Sequence, residues 1–223
     1  MKNEREFPEP SQEHRKDQIR RHYEPRIGGN LPHHQVLDWA SAQSQLARFQ
    51  IFARNVPLQD KSLLDVGCGL GDLLTYLESL GLRVRYTGVD LLEKMVQAAS
   101  RNHPGHDFIQ GDIFQAHPFK PETFDVVFCS GAFNLNLGNN EQFLPSAVAT
   151  MLELAREYAV FNLLHSRAAS QEQTYFYYHP DQVREMLRDC PCEVRIIDDY
   201  LHNDFTVICK KQHSPQTSQK TQR

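Results

Sequence analysis

The sequence predicts an α/β fold: a seven-stranded, mostly parallel sheet with an antiparallel last strand, helices on both faces and an N-terminal helical cap. Three observations carry it. From Lys61 onward, runs rich in strand-forming residues (SLLDVG, RVRYTGVD, HDFIQGD, FDVVFCSG, YAVFNLLH) alternate with helical patterns over 71–80, 92–101, 141–157 and 180–189. Such alternation marks parallel strands joined by crossover helices. Next, EVRIIDDYLHNDFTVICK places two strand runs around a polar link too short for a crossover helix, so the final strand reverses direction. Finally, Val36 to Val56 carries Leu37, Trp39 or Ala40, Leu46, Phe49, Phe52 and Ala53 at helical spacing, and Pro57 ends the pattern.

At 223 residues, 40% of them apolar and 23% charged, the chain suits one globular domain with a sizeable core. Its organisation reads as a flexible segment over 1–30, a domain over 31–210 whose cap spans 31–57, and a disordered tail over 211–223. No apolar run approaches the ~20 residues of a membrane span, and the polar start lacks the apolar segment of a secretory signal. We therefore expect a cytoplasmic protein without a membrane partner. Five cysteines, an odd number, read as reduced thiols, and Cys190-Pro-Cys192 lacks the two-residue spacer of a zinc or redox pair. The histidines have no partners at metal spacing, so no metal is expected. A net charge of −4 makes nucleic acid an unlikely partner, and the basic stretch Arg15 to Arg26 reads as a solvated helix face. The sequence does not specify an oligomeric state.

In an open α/β sheet the ligand crevice lies beyond the carboxyl ends of the strands, so each strand is read at its last residues. The first ends in Asp65-Val66-Gly67-Cys68-Gly69-Leu70-Gly71, where glycines allow a ligand to approach the backbone just ahead of a helix. Asp65 stands beside the free N–H groups of that turn and could also receive a ligand ammonium. Asp90 ends the second strand, where an acid accepts hydrogen bonds from ribose hydroxyls; it could equally cap the helix beginning at Leu92. Asp112 follows the third strand, placed for an exocyclic amine or simply for a turn. The spacing is G-x-G-x-G and lacks the dinucleotide pattern and the P-loop lysine, so a nucleoside with a charged tail fits better than a pyrophosphate.

These residues resemble the class I S-adenosylmethionine-dependent methyltransferases, which have a Rossmann-like sheet. LLDVGCGLGD is similar to the family's glycine-rich first motif, YTGVDLLEKMV to the second-strand acid and following helix, FIQGDIF to the third motif and FDVVFCSGAFN to the fourth strand. The resemblance spans about Ser62 to Phe133 and includes the closing strand DFTVICKK. It implies S-adenosylmethionine as cofactor, S-adenosylhomocysteine as product, and binding by Asp65, Gly67, Cys68, Gly69, Gly71, Asp90, Leu91, Met95, Asp112, Ile113 and Ser130. Met95 could instead fill the core. DWASAQSQLARFQ, SGAFN and VFNLLHS further resemble an uncharacterised bacterial group of small-molecule type. Membership implies that the helix bearing Trp39, Ser44, Gln45 and Arg48 folds over the cofactor, with Arg48 available to its carboxylate; packing alone would give the same helix pattern.

Methyl transfer from a sulfonium is an in-line displacement whose leading need is positioning. His165, at the end of the fifth strand, is the candidate base, with a merely hydrogen-bonded histidine as the alternative. Asn134 and Asn162 are candidates to orient a substrate. Phe133 and the cluster Tyr175 to Tyr178 could wall an acceptor pocket, or pack. The Pro-Pro-aromatic segment of amino-directed members is absent after Cys129, which together with the surface charge favours a small-molecule acceptor. A catalytically silent cofactor-binding or protein-interaction module is the alternative of another class.

Overall fold

The protein is described from a computed structural model over residues 12–212. Its strands form a seven-stranded sheet: β1 Ser62–Val66, β2 Arg85–Asp90, β3 Asp107–Gln110, β4 Phe124–Cys129, β5 Ala155–Leu164, β6 Cys192–Leu201 and β7 Asp204–Lys211. Their spatial order is β3-β2-β1-β4-β5-β7-β6. β1 to β5 pair in parallel, and β7 runs antiparallel between β5 and β6, as the short link ahead of it requires. The order reverses between β1 and β4, which opens a crevice above their carboxyl ends.

Among the described residues seven α-helices accompany the sheet: α1 Gln12–Tyr23, α2 His33–Val36, α3 Ala42–Asn55, α4 Asp72–Ser79, α5 Glu93–Asn102, α6 Asn140–Leu154 and α7 Pro180–Met186. The central strands are buried on both faces, hence their continuous apolar runs. On one face α3 and α4 bring Phe49, Phe52, Leu74 and Leu77 against Leu63, Val126 and Phe128, with the Phe52 and Phe128 rings stacked at 4.1 Å. On the other, Leu144, Val148 and Met151 of α6 pack with Val127, Phe161 and Val207.

Three expectations are corrected. Within the segment expected to be flexible over 1–30, residues 12–26 are helical, and Ile19, Tyr23 and Ile27 recur at i, i+4 and i+8 and pack on Val36, Leu70, Leu92 and Met95. Residues 1–11 lie outside the described residues, as does the expected tail from residue 213. The helix expected through Val36 to Val56 is broken: α2 stops at Val36, Asp38 takes a left-handed φ of 61°, and Ser41 restarts the helix through a reciprocal capping box with Ser44. The helix expected over 141–157 ends at Leu154, because β5 claims the chain from Ala155.

Candidate active site

One crevice gathers the carboxyl ends of β1 to β4. It is lined by Asp65, Gly67, Cys68, Gly69, Asp90, Leu91, Met95, Asp112, Ile113, Ser130 and Asn134, eleven of the residues singled out from sequence. The glycine loop is held from below. The N–H groups of Gly67 and Cys68 donate to the Val89 carbonyl at 2.8 and 3.1 Å, and that of Gly69 donates to Asp90 Oδ2 at 2.9 Å. Asp90 Oδ1 accepts the Leu92 N–H at 2.9 Å, so this carboxylate caps the entry to α5, staples the loop and faces the crevice at once. Burial holds the Asp90 carboxyl above its ordinary range, opposed by those backbone donors. Asp112 Oδ1 accepts the Phe114 N–H at 3.0 Å in a local turn that leaves the residue on the crevice wall.

Asp65 differs from its expected setting. The loop N–H groups go elsewhere, and its partner is the buried Tyr86 hydroxyl, which donates to Oδ2 at 2.6 Å. Burial pushes the Asp65 carboxyl up to about 7; the Tyr86 hydrogen bond opposes this, and the nearby Asp90 and Asp72 charges add to it.

Two glycines let the N-terminal cap settle on the sheet. Gly69 has φ 54° and its Cβ would stand 2.6 Å from Leu37 Cδ2; Gly131, after β4, has φ 88° and its Cβ would stand 2.7 Å from Trp39 Cη2. Leu37 and Trp39 thereby close the crevice from above. Ile19 and Tyr23 of α1 and Tyr175 complete the roof. Asp38 ties these pieces together: its Oδ2 accepts from the Tyr175 hydroxyl at 2.5 Å and meets His22 Nε2 at 2.6 Å, while Arg26 reaches Oδ1 at 3.3 Å. Hydrogen bonds from Tyr175 and His22, with the Arg26 charge, outweigh burial and keep the Asp38 carboxyl below its ordinary range.

Other expected residues fall away from the crevice. Arg48 is buried, its Nε and Nη2 donating to Asp204 Oδ2 at 2.9 and 2.5 Å and its Nη1 to the Ser44 carbonyl at 2.6 Å, with Trp39 stacked on it at 4.4 Å. A guanidinium so committed is not available to a ligand carboxylate. His165 is buried beside Phe205; its Nδ1 accepts the Arg167 N–H at 3.1 Å, and burial lowers its pKa. It does not line the crevice. Asn162 is buried and donates to Thr206 Oγ1 at 2.7 Å, and Phe133 belongs to the core. Gly71 caps α4 with φ 85° and stands off the lining. Of the tyrosine cluster only Tyr175 reaches the crevice.

Sequence reasoning missed Arg15, Ile19, Tyr23, Asp38 and Asp72 on the lining. The i, i+4, i+8 stripe from Ile19 to Ile27 was the available signal, masked by its basic neighbours. Four polar atoms on lining residues are buried without a hydrogen-bond partner among the described residues: Arg15 Nε, Trp39 Nε1, Ser130 Oγ and Asn134 Oδ1. Unpaired buried polar atoms are rare in a folded chain, and their convergence marks a place where a ligand supplies the partners.

A doubly wound sheet with acids and a glycine loop at its switch point defines a nucleoside-binding α/β protein. Residues 63–157 match the sequence profile described as Methyltransferase domain. A Mycobacterium tuberculosis protein, Rv1506c, provisionally named a methyltransferase, is 29% identical over 157 residues, 67% of this chain and 93% of that protein. Trans-aconitate 2-methyltransferase of Rhodopseudomonas palustris is 38% identical over 79 residues, 35% of this chain and only 30% of that enzyme. In three dimensions the chain aligns with magnesium protoporphyrin IX methyltransferase of Synechocystis bound to S-adenosylhomocysteine (TM-score 0.56, 17% identity, 88% of this chain and 93% of that one), a likeness of fold. The profile match, the mycobacterial relative and the shared fold support a class I S-adenosylmethionine-dependent methyltransferase, with S-adenosylmethionine as cofactor.

The residues present fit that cofactor. Five carboxylates on the lining (Asp38, Asp65, Asp72, Asp90 and Asp112) suit a donor that is cationic at its sulfonium and ammonium. The exposed backbone at Gly67 and the orphaned Ser130 hydroxyl offer polar contacts where its tail would lie.

Proposed function

We propose that the protein transfers a methyl group from S-adenosylmethionine to a small-molecule acceptor held in the same crevice, by in-line displacement, and that Asp65, Gly67, Cys68, Gly69, Asp90, Leu91, Met95, Asp112, Ile113 and Ser130 hold the donor. The observation that carries this reading is the roof. Residues of α1, Leu37, Trp39 and Tyr175 cover a crevice whose floor already carries the donor-type acids. Beneath it, Asn134 is 8% exposed and its Oδ1 has no partner. A covered pocket with a waiting amide admits a metabolite more readily than a folded macromolecule. Trans-aconitate 2-methyltransferase is named for a small-molecule acceptor, which supports the same reading.

When bound, S-adenosylmethionine supplies an electrophilic methyl group. The chain's share is placement and dryness. Orientation in a water-poor site can lower a barrier by roughly 7 to 11 kcal/mol in the best cases, without a dedicated base. Asp90 and the loop it staples fix the nucleoside end, and the Asn134 amide can hold the acceptor as hydrogen-bond donor and acceptor together. Among the described residues no histidine lines the crevice, which favours acceptors that attack without losing a proton, such as carboxylates and phenolates. Incubation with methyl-labelled donor and a cell extract divided by size tests the proposal. Label is expected in the low-mass fraction; label confined to protein or nucleic acid would overturn it.

A further inference from the structure

The basic stretch of α1 divides in the structure. Arg20 pairs with Asp17 at 3.7 Å on the surface and Arg26 pairs with Asp38, whereas Arg15 turns inward to the crevice. Its Cζ lies 3.4 Å from the centroid of the Phe143 ring and 5.9 Å from that of Phe114. Its Nε is buried and unpartnered, and among the described residues no hydrogen bond or ion pair reaches the guanidinium. A cation taken partly out of water needs more than a ring beneath it, since a ring face satisfies none of the five N–H donors.

The crevice does not supply the missing partner. Arg15 is the only cation among the described lining residues. Asp38 bonds Tyr175, Asp65 bonds Tyr86, Asp72 bonds Gln45 and Asp90 bonds Gly69 and Leu92; Asp112, whose Oδ1 accepts from Phe114, is near enough to act on Arg15 through its charge but forms no hydrogen bond or ion pair with it. A hydrogen-bonded partner is therefore left for a ligand to supply. The donor's amino-acid end is expected at the glycine loop and Asp65, above β1. Arg15 sits apart from it, against Phe114 after β3 and Phe143 in α6. A planar guanidinium lying flat on a ring keeps its edge free, and that edge matches the two oxygens of a carboxylate.

We propose that Arg15 anchors the acceptor: the small molecule methylated here carries a carboxylate that pairs with the Arg15 guanidinium on its bed of Phe114 and Phe143. This rests on the methyl-transfer reading above. Asn134 offers a second polar contact to the same molecule and sets its orientation relative to the anchored acid.

The test uses the full chain saturated with S-adenosylhomocysteine and matched probes, benzoate against benzamide and hexanoate against hexanamide, read as shifts of the unfolding midpoint. Each acid is expected to stabilise the wild type more than its amide. Arg15→Gln should abolish that preference while changing S-adenosylhomocysteine affinity by less than about twofold, and Arg15→Lys should keep part of it. Equal shifts for acid and amide in the wild type would overturn the proposal, as would a preference that survives Arg15→Gln. A larger Arg15-dependent shift from phenyl phosphate than from benzoate would replace the carboxylate by a phosphate. A tenfold or greater loss of S-adenosylhomocysteine affinity in Arg15→Gln, with the acid preference intact, would assign the arginine to the donor. Failure of the wild type to bind S-adenosylhomocysteine at all would remove the methyl-transfer reading itself, a separate readout.

Discussion

Arg48 of α3 and Arg15 of α1 both lie over aromatic rings, and they stand in opposite conditions. Arg48 is 2% exposed and three of its nitrogens are hydrogen-bonded, to Asp204 and the Ser44 carbonyl. Tyr200 completes that cluster by donating to Asp204 Oδ1 at 2.5 Å. Arg15 has rings beneath it and, among the described residues, no hydrogen-bond or ion-pair partner. A buried polar group that is satisfied belongs to the fold, and one left open inside a crevice belongs to the function. A weaker version of the contrast separates Asn162, whose Nδ2 donates to Tyr200 and Thr206 although its Oδ1 is unpartnered, from Asn134, whose amide makes no side-chain hydrogen bond among the described residues and which lines the crevice.

That contrast can be broken most severely at Arg48. Arg48→Met strands the Asp204 charge in a fully buried position, so chemical denaturation should show a loss of about 3 to 5 kcal/mol. Arg15→Gln should leave the same transition within about 0.5 kcal/mol. If the two variants lost equal stability, the division into a structural and a functional arginine would fail.

Asp65 sharpens the comparison for acids. Its folded pKa is raised to about 7, above the ordinary 3.8, so the fold favours the protonated carboxyl. Its contribution to stability is fully present below pH 3.8 and is lost as pH rises through about 7. Asp65→Asn should flatten this part of the ligand-free stability profile, and should raise stability at pH 8 relative to wild type by at most about 4 kcal/mol. Thermal unfolding across pH 4 to 8 measures it; a profile unchanged by the substitution would show that Asp65 does not titrate there.

Asp90→Ala removes two charge-assisted backbone hydrogen bonds and, on the proposed reading, the acceptor for the donor's ribose. Calorimetric titration with S-adenosylhomocysteine should show a loss of roughly 1.5 to 3 kcal/mol, a factor between about ten and a hundred or so. Asn134→Ala should have the smallest effect, about 1 kcal/mol on acceptor specificity, expressed in kcat/KM with donor affinity unchanged.

The parts of the fold that could be read from sequence are those written locally. Strand runs, the glycine loop and the acids at the ends of β1, β2 and β3 depend on neighbours a few residues away, and all of the loop glycines and acids except Gly71 reach the crevice wall. What could not be read depends on distant partners. Arg48 meets an aspartate 156 residues on, which turns an expected ligand contact into a structural pair. Tyr175 meets Asp38 across 137 residues, and neither residue alone signals a roof. The α1 helix was obscured differently: Arg15, Lys16, Arg20 and Arg21 surround a narrow apolar stripe, so composition pointed to a solvated segment where periodicity pointed to a packed helix. His165 was placed correctly at the end of β5, but a strand end outside the switch point has no view of the crevice.

The knot at Asp38 has a consequence for timing. One carboxylate fastens the segment before the sheet, through His22 and Arg26, to the loop after β5, through Tyr175. These contacts hold the roof down over the crevice. On the methyl-transfer reading, loosening Asp38 is expected to shorten how long product lingers before it alters how fast the bond is made.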